Sequence, residues 1–187
     1  MKQQAIVVTG GAGYIGSHVV YNLLAENFDV IVIDDLSNSE VENINSQVKF
    51  FQGDFVDQNI WQQISEQFDV QGVIHLAAYI EVAESFQKPE QYFLNNAYKT
   101  GQLLNILKDL QISNLVFAST CGVYGANQEV PLNELGFLEP LNPYAESKIR
   151  AEEYILSSVG KQNLIAIIFR FFNTAGTLPE VNVHPKN

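Results

Sequence analysis

The 187-residue chain is 47% hydrophobic and 17% charged, with a formal net charge of −11. That composition belongs to a globular chain with one sizeable core. The acidic balance argues against a nucleic-acid surface and leaves any anionic ligand to backbone dipoles and a few placed cations. The single cysteine, Cys121, excludes an internal disulfide. With no secretory h-region and no apolar run long enough to span a membrane, a cytoplasmic protein is expected, with neither nucleic acid nor membrane as partner.

Apolar runs alternate with helical patterns along nearly the whole chain, which predicts an α/β fold with a parallel sheet. Ala5-Ile6-Val7-Val8 reads as a first strand, and Ile15, Val19, Val20, Leu23 and Leu24 as the helix after it. Val30 to Ile33 is a buried-type second strand with Asp34 at its carboxyl end. Val48 to Phe51 predicts a third, closed by Gly53-Asp54. Ile60, Trp61, Ile64 and Phe68 predict a short helix. Val73 to Leu76 and Leu115 to Ala118 are the fourth and fifth strands, with a long helix marked by Tyr92, Leu103, Leu104, Leu107 and Leu110 between them. Pro143 suits the first turn of a further helix ending near Val159. Ile165 to Phe169 is a sixth strand, and the stretch from Gly176 onward is expected to be irregular. Right-handed crossovers then give a doubly wound sheet of order 3-2-1-4-5-6, which binds ligands outside the carboxyl ends of its strands.

Two stretches carry chemistry. In Thr9-Gly10-Gly11-Ala12-Gly13-Tyr14-Ile15-Gly16-Ser17, glycines 10, 13 and 16 have the spacing of a strand–turn–helix dinucleotide fingerprint. Gly10 suits a positive φ. Gly13 leaves the backbone open to a ligand, Gly16 lets the helix pack closely, and the helix start favours a pyrophosphate. Asp34, at the end of the second strand, can accept both ribose hydroxyls of an adenosine and would repel a 2′-phosphate, which favours NAD over NADP. Asp54 suits the adenine amino group, and equally an ordinary loop acid. The other stretch is Tyr144-Ala145-Glu146-Ser147-Lys148, where residues four apart share a helical face. A nearby ammonium and an oxidised nicotinamide would lower the phenol's pKa toward that of a usable base. Thr120 adds a hydroxyl at the end of the fifth strand. His18 and His75 read as packing or backbone-bonding residues, since no metal-ligand cluster accompanies them, and no metal is expected. Cys121 has no base beside it to make it a nucleophile, and Trp61 reads as a core residue.

These stretches, with Val73 to Ala78 (VIHLAA), Asn95-Asn96, Ser119 to Gly125 (STCGVYG) and Arg170 to Asn173 (RFFN), resemble the extended short-chain dehydrogenase/reductase family. Within it they resemble the nucleotide-sugar 4-epimerases, over about residues 4 to 180. Asp35 departs from the asparagine common there, and Ile80 from a lysine found in some members. Cys121-Gly122 stand where dehydratases and decarboxylases carry acidic residues, which disfavours those chemistries. The resemblance implies NAD as cofactor, with contacts from Gly10, Gly13, Tyr14, Ile15, Gly16, Asp34, Asn38, Ser39, Asp54 and Phe55. Leu76, Ala77, Ala78, Asn96, Tyr144, Lys148 and Phe172 complete the implied cofactor set. It implies Thr120, Tyr144 and Lys148 as catalytic residues and Thr120, Tyr144 and Asn173 as substrate contacts. The implied reaction is epimerisation at the 4-position of a UDP-hexose, UDP-glucose or UDP-galactose. The alternatives are a non-catalytic NAD-binding module, or another NAD-dependent sugar-nucleotide oxidoreductase or dehydratase. Members of the family continue well beyond this length. The expected organisation is therefore an NAD-binding Rossmann domain over 1–176 and, over 177–187, an irregular tail beginning a truncated substrate domain, with impaired activity. Members commonly dimerise, so a homodimer through the helices near 90–109 and 143–159 is expected.

Overall fold

The computed structural model describes residues 2–126, 129–161, 163–179, 181 and 183. Six strands, β1 (Gln3–Thr9), β2 (Val30–Asp34), β3 (Lys49–Gln52), β4 (Phe68–His75), β5 (Asn114–Thr120) and β6 (Ile165–Phe171), form one parallel sheet. Its order is β3-β2-β1-β4-β5-β6, as the crossover rule requires. The helices are α1 (Tyr14–Ala25), α2 (Gln58–Gln67), α3 (Val82–Gln87), α4 (Pro89–Tyr92), α5 (Lys99–Asp109) and α6 (Pro143–Val159).

The central strands are apolar at successive positions because helices cover both faces of the sheet. Val7, Ile31, Ile33, Val73, Leu115 and Phe117 point into one core, against Ile60, Trp61 and Ile64 of α2, Leu103 and Leu107 of α5, and Ile155 of α6. The alternate residues Val8, Val30, Val32 and Ile74 face the other way, onto Val19, Val20, Leu23 and Leu24 of α1. At the outer strand β6, Ala166 and Ile168 pack into the first core. Ile165, Ile167 and Phe169 lie exposed on the opposite face.

Three expectations change. Phe68 opens β4 rather than closing α2, because its backbone pairs with Gln3 of β1; the i, i+4, i+8 spacing from Ile60 imitates a helix repeat. Leu76 lies just past β4, although its N–H still donates to the Thr9 carbonyl at 3.0 Å. The long helix from Tyr92 to Leu110 is interrupted by a π-helical segment, Phe93–Tyr98, between α4 and α5. That segment buries Asn95 and Asn96. Pro143 is at the first turn of α6, and Asn142 caps it by accepting from the Ala145 N–H at 2.8 Å. In the tail, the described residues from Gly176 to Val183 form neither helix nor strand, and the part over His184–Asn187 lies outside the described residues.

Candidate functional site

The glycine turn begins where β1 ends. Gly10 has φ +73°, and a Cβ there would lie 2.6 Å from the Ala77 nitrogen, so the turn packs directly on the segment after β4. A Cβ at Gly16 would come within 2.1 Å of the Gly10 carbonyl oxygen. The first turn of α1 therefore lies flat on the turn backbone. Gly13 is the N-cap of α1, with no side chain to cap the helix and no acidic residue in the first turn. The N–H groups of the first turn of α1 thus have no side-chain cap from the chain itself. Tyr14 donates its hydroxyl hydrogen bond to the Gly176 carbonyl, fastening the tail to α1, and Ile15 is half-buried beside it.

At the end of β2 the Asp34 carboxylate is buried and held in place. One oxygen accepts from the Ala12 N–H at 3.0 Å, the other from the Leu36 N–H at 2.9 Å and the Ser39 hydroxyl at 2.8 Å. Ser39 is thereby drawn to the site edge, while Asn38 beside it is exposed. Asp54, after β3, takes the ordinary bonds of a loop acid: it pairs with Lys99 at 2.5 Å and accepts from the Val56 N–H. Phe55 is buried against the His75 ring, centroids 4.7 Å apart.

A line of contacts joins this turn to the other motif. His75 lies between the hydroxyls of Thr9 (2.6 Å) and Thr100 (3.1 Å). Burial, with the Lys148 charge adding to it, drives its pKa down to about 3, so the ring is neutral. Phe117 packs on the other side of His75 at 5.6 Å, and the Lys148 ammonium sits 4.4 Å above the Phe117 ring centroid. Thr9 immediately precedes Gly10, so Gly10 and Lys148 are linked through Thr9, His75 and Phe117.

Tyr144 and Lys148 lie one turn apart on α6, and Thr120 ends β5 beside them. Burial pushes Lys148 down to about 7, against the opposing pull of Glu152. The Tyr144 phenol is raised by burial, while the Thr120 hydroxyl hydrogen bond works the other way. In the protein alone desolvation outweighs the stabilisation of the phenolate. Ala77 and Ala78 follow β4, and next to them the Tyr79 backbone is held by Asn96. The Asn96 amide accepts from the Tyr79 N–H and donates to its carbonyl, both at 2.9 Å, and donates to Ser147 of α6 at 3.1 Å. Phe172 and Asn173, past β6, are exposed.

The residues missed from sequence are Ser119, Tyr124, Glu152 and Arg170 as a set. Glu152 is buried and accepts from Ser119 and, through a bidentate pair at 2.7–3.2 Å, from Arg170. Arg170 also reaches the Tyr124 hydroxyl at 3.0 Å. Helical spacing was the available signal, since Tyr144, Lys148 and Glu152 repeat every four residues. Among the described residues no group of three or more His, Cys, Asp or Glu could hold a metal ion, and no helix is long and apolar enough to cross a membrane.

A model of the NAD dependent epimerase/dehydratase family matches residues 6–186. The chain is 37% identical over 185 residues to the UDP-glucose 4-epimerase of Lacticaseibacillus casei, covering 97% of this chain and 56% of that one. It is 40% identical over 182 residues to the UDP-glucose 4-epimerase of Pasteurella multocida (strain Pm70), covering 92% and 54%. The crystal structure of UDP-glucose 4-epimerase from Brucella ovis in complex with NAD superposes with a TM-score of 0.92 at 30% identity, covering 98% of this chain and 56% of that one. The chain thus spans about half the length of the curated relatives it matches. Glycine turn, strand order and Tyr144–Lys148 helix agree with a match over nearly all of its residues, and the chain belongs to the NAD dependent epimerase/dehydratase family.

Proposed function

We propose that this chain is the cofactor-binding and catalytic part of a UDP-hexose 4-epimerase acting on UDP-glucose and UDP-galactose. The observation that carries the reading is the line of packed groups from Gly10 through Thr9, His75 and Phe117 to Lys148, beside Thr120 and Tyr144. It supports the reading because the glycine turn and Tyr144, Lys148 and Thr120 then share one sheet edge.

The residues present fit NAD. The uncapped start of α1 suits the pyrophosphate, with Gly10, Gly13, Tyr14, Ile15 and Gly16 around it. The fixed Asp34 carboxylate, with Asn38 and Ser39, suits the adenosine ribose and disfavours a 2′-phosphate. Asp54 and Phe55 would border the adenine. Leu76, Ala77, Ala78, Asn96, Tyr144, Lys148 and Phe172 would line the nicotinamide side. Bound NAD would supply an acceptor for the hydride of the sugar's 4-carbon and return it within the same cycle. Tyr144 accepts the proton of the 4-hydroxyl, and Thr120 donates a hydrogen bond to the same oxygen and orients it. Lys148, held in a dry pocket, binds the ribose and favours the phenolate. Asn173 would reach the sugar nucleotide.

In this reading residues 1–176 are the NAD-binding domain and 177–187 belong to the start of a substrate domain. The faces of α4–α5 and α6 form a homodimer contact, since they expose Leu94, Tyr98, Leu156 and Val159; a monomer in light scattering at assay concentration sinks that part. A cytoplasmic location accords with the single cysteine.

The test is NAD released from the purified, denatured protein, scored against its interconversion of UDP-glucose and UDP-galactose. Bound NAD with turnover supports the full reading. Bound NAD without turnover leaves a cofactor-binding module. Failure to hold or take up NAD overturns both.

A further inference from the structure

The Tyr144–Lys148 helix, the end of β5 and the end of β6 meet on one buried carboxylate. Glu152 lies one helical turn beyond Lys148, and both residues are at most 3% exposed. Its side chain accepts from the Ser119 hydroxyl, next to Thr120, and from the Arg170 guanidinium, two residues before Phe172. Arg170 in turn donates to the Tyr124 hydroxyl and to the Glu134 carbonyl, each at 3.0 Å, so the loop after β5 is tied to the same point.

We propose that Glu152 is a positioning residue: locked by Arg170 and Ser119, its carboxylate fixes α6 against the ends of β5 and β6 and keeps a negative charge one helical turn from the buried Lys148. The proposal deepens the reading above and rests on it for the role of Lys148. An ammonium this deeply buried loses its proton readily unless a counter-charge stays close. His75 of β4 faces it as a neutral ring, and Phe117 of β5 carries no charge. On its own helix Lys148 has the phenol of Tyr144 one turn before it and, one turn after it, the Glu152 carboxylate, with the cation of Arg170 behind that on β6. A free carboxylate could turn away to solvent; one pinned by Arg170 cannot. The arrangement keeps a counter-charge near a lysine that burial alone drives toward its neutral form.

The experiment follows the Lys148 side-chain Cε–Hε signal by NMR against pH, in protein labelled with 13C-lysine and without added cofactor. Glu152→Gln keeps the shape and removes the charge; the Lys148 midpoint is expected to fall by about one pH unit. Glu152→Asp, which keeps the charge but withdraws it, gives a smaller fall in the same direction and serves if the Gln variant does not fold. A variant with the wild-type circular dichroism spectrum and an unchanged Lys148 midpoint overturns the proposal, because a carboxylate that only braces the fold would leave that titration where it was. Since the signal is read without NAD or sugar nucleotide, a protein that fails to bind NAD would sink the functional reading and leave this result standing.

Discussion

At the β1–β2 end of the sheet edge the contacts run through backbone. Gly10 and Gly16 are pressed against main-chain atoms, and Asp34 is held by two backbone N–H groups and one hydroxyl. At the β5–β6 end they run through buried side-chain charge, with Lys148 over an aromatic ring and Glu152 between Ser119 and Arg170. The first arrangement is set by close main-chain packing and by hydrogen bonds to main-chain groups. The second is electrostatic and exists only because water is excluded. Damage to the first end should therefore appear as lost packing, and damage to the second as altered protonation and chemistry at nearly constant fold.

The sharpest way to break the comparison is Tyr144→Phe. If this end does chemistry, turnover falls by about 100- to 10,000-fold while NAD retention and the melting temperature hold. Turnover within a few-fold of the parent would remove Tyr144 from the mechanism. At the other end, Gly16→Ala forces a methyl group against the Gly10 carbonyl. Urea denaturation should show a loss of about 3 kcal/mol, with NAD retention lost as well; a loss below about 1 kcal/mol would mean that the turn can yield.

His75 lies between the two ends and sharpens the distinction. Its folded pKa is about 3 and its unfolded value 6.5. Between those values the unfolded chain binds a proton that the folded one refuses. Stability from this group is thus complete above pH 6.5 and falls as pH drops toward 3, by up to about 1.4 kcal/mol per pH unit. Denaturation between pH 7 and 5 should show a flatter slope for His75→Gln than for the parent; equal slopes would show that His75 is not the group responsible. The smallest effect is expected at Arg150, whose pair with Glu153 lies on the exposed face of α6. Arg150→Ala should change stability by less than about 0.5 kcal/mol and leave NAD binding alone.

The glycine turn and the Tyr144–Lys148 pair were legible because their constraints are local. A tight turn needs Gly10 whatever surrounds it, and a four-residue helical spacing needs no tertiary partner. Phe68 was misread because a strand whose first residue extends an i, i+4 apolar series has the same local pattern as a helix there. The Lys99 partner of Asp54, 45 positions along the chain, left no trace in either segment. The same holds for Arg170, 18 positions from Glu152 and on another element.

By itself, the sequence determined the alternation of strand and helix, the order of the sheet and the places of the two motifs, since each follows from periodicity, turn chemistry and crossover handedness. The tertiary structure alone decided the ionisation of the site. How far Lys148, Tyr144 and His75 depart from their ordinary pKa values depends on the water excluded and on the charges brought near by distant parts of the chain, and only the packed sheet edge sets both.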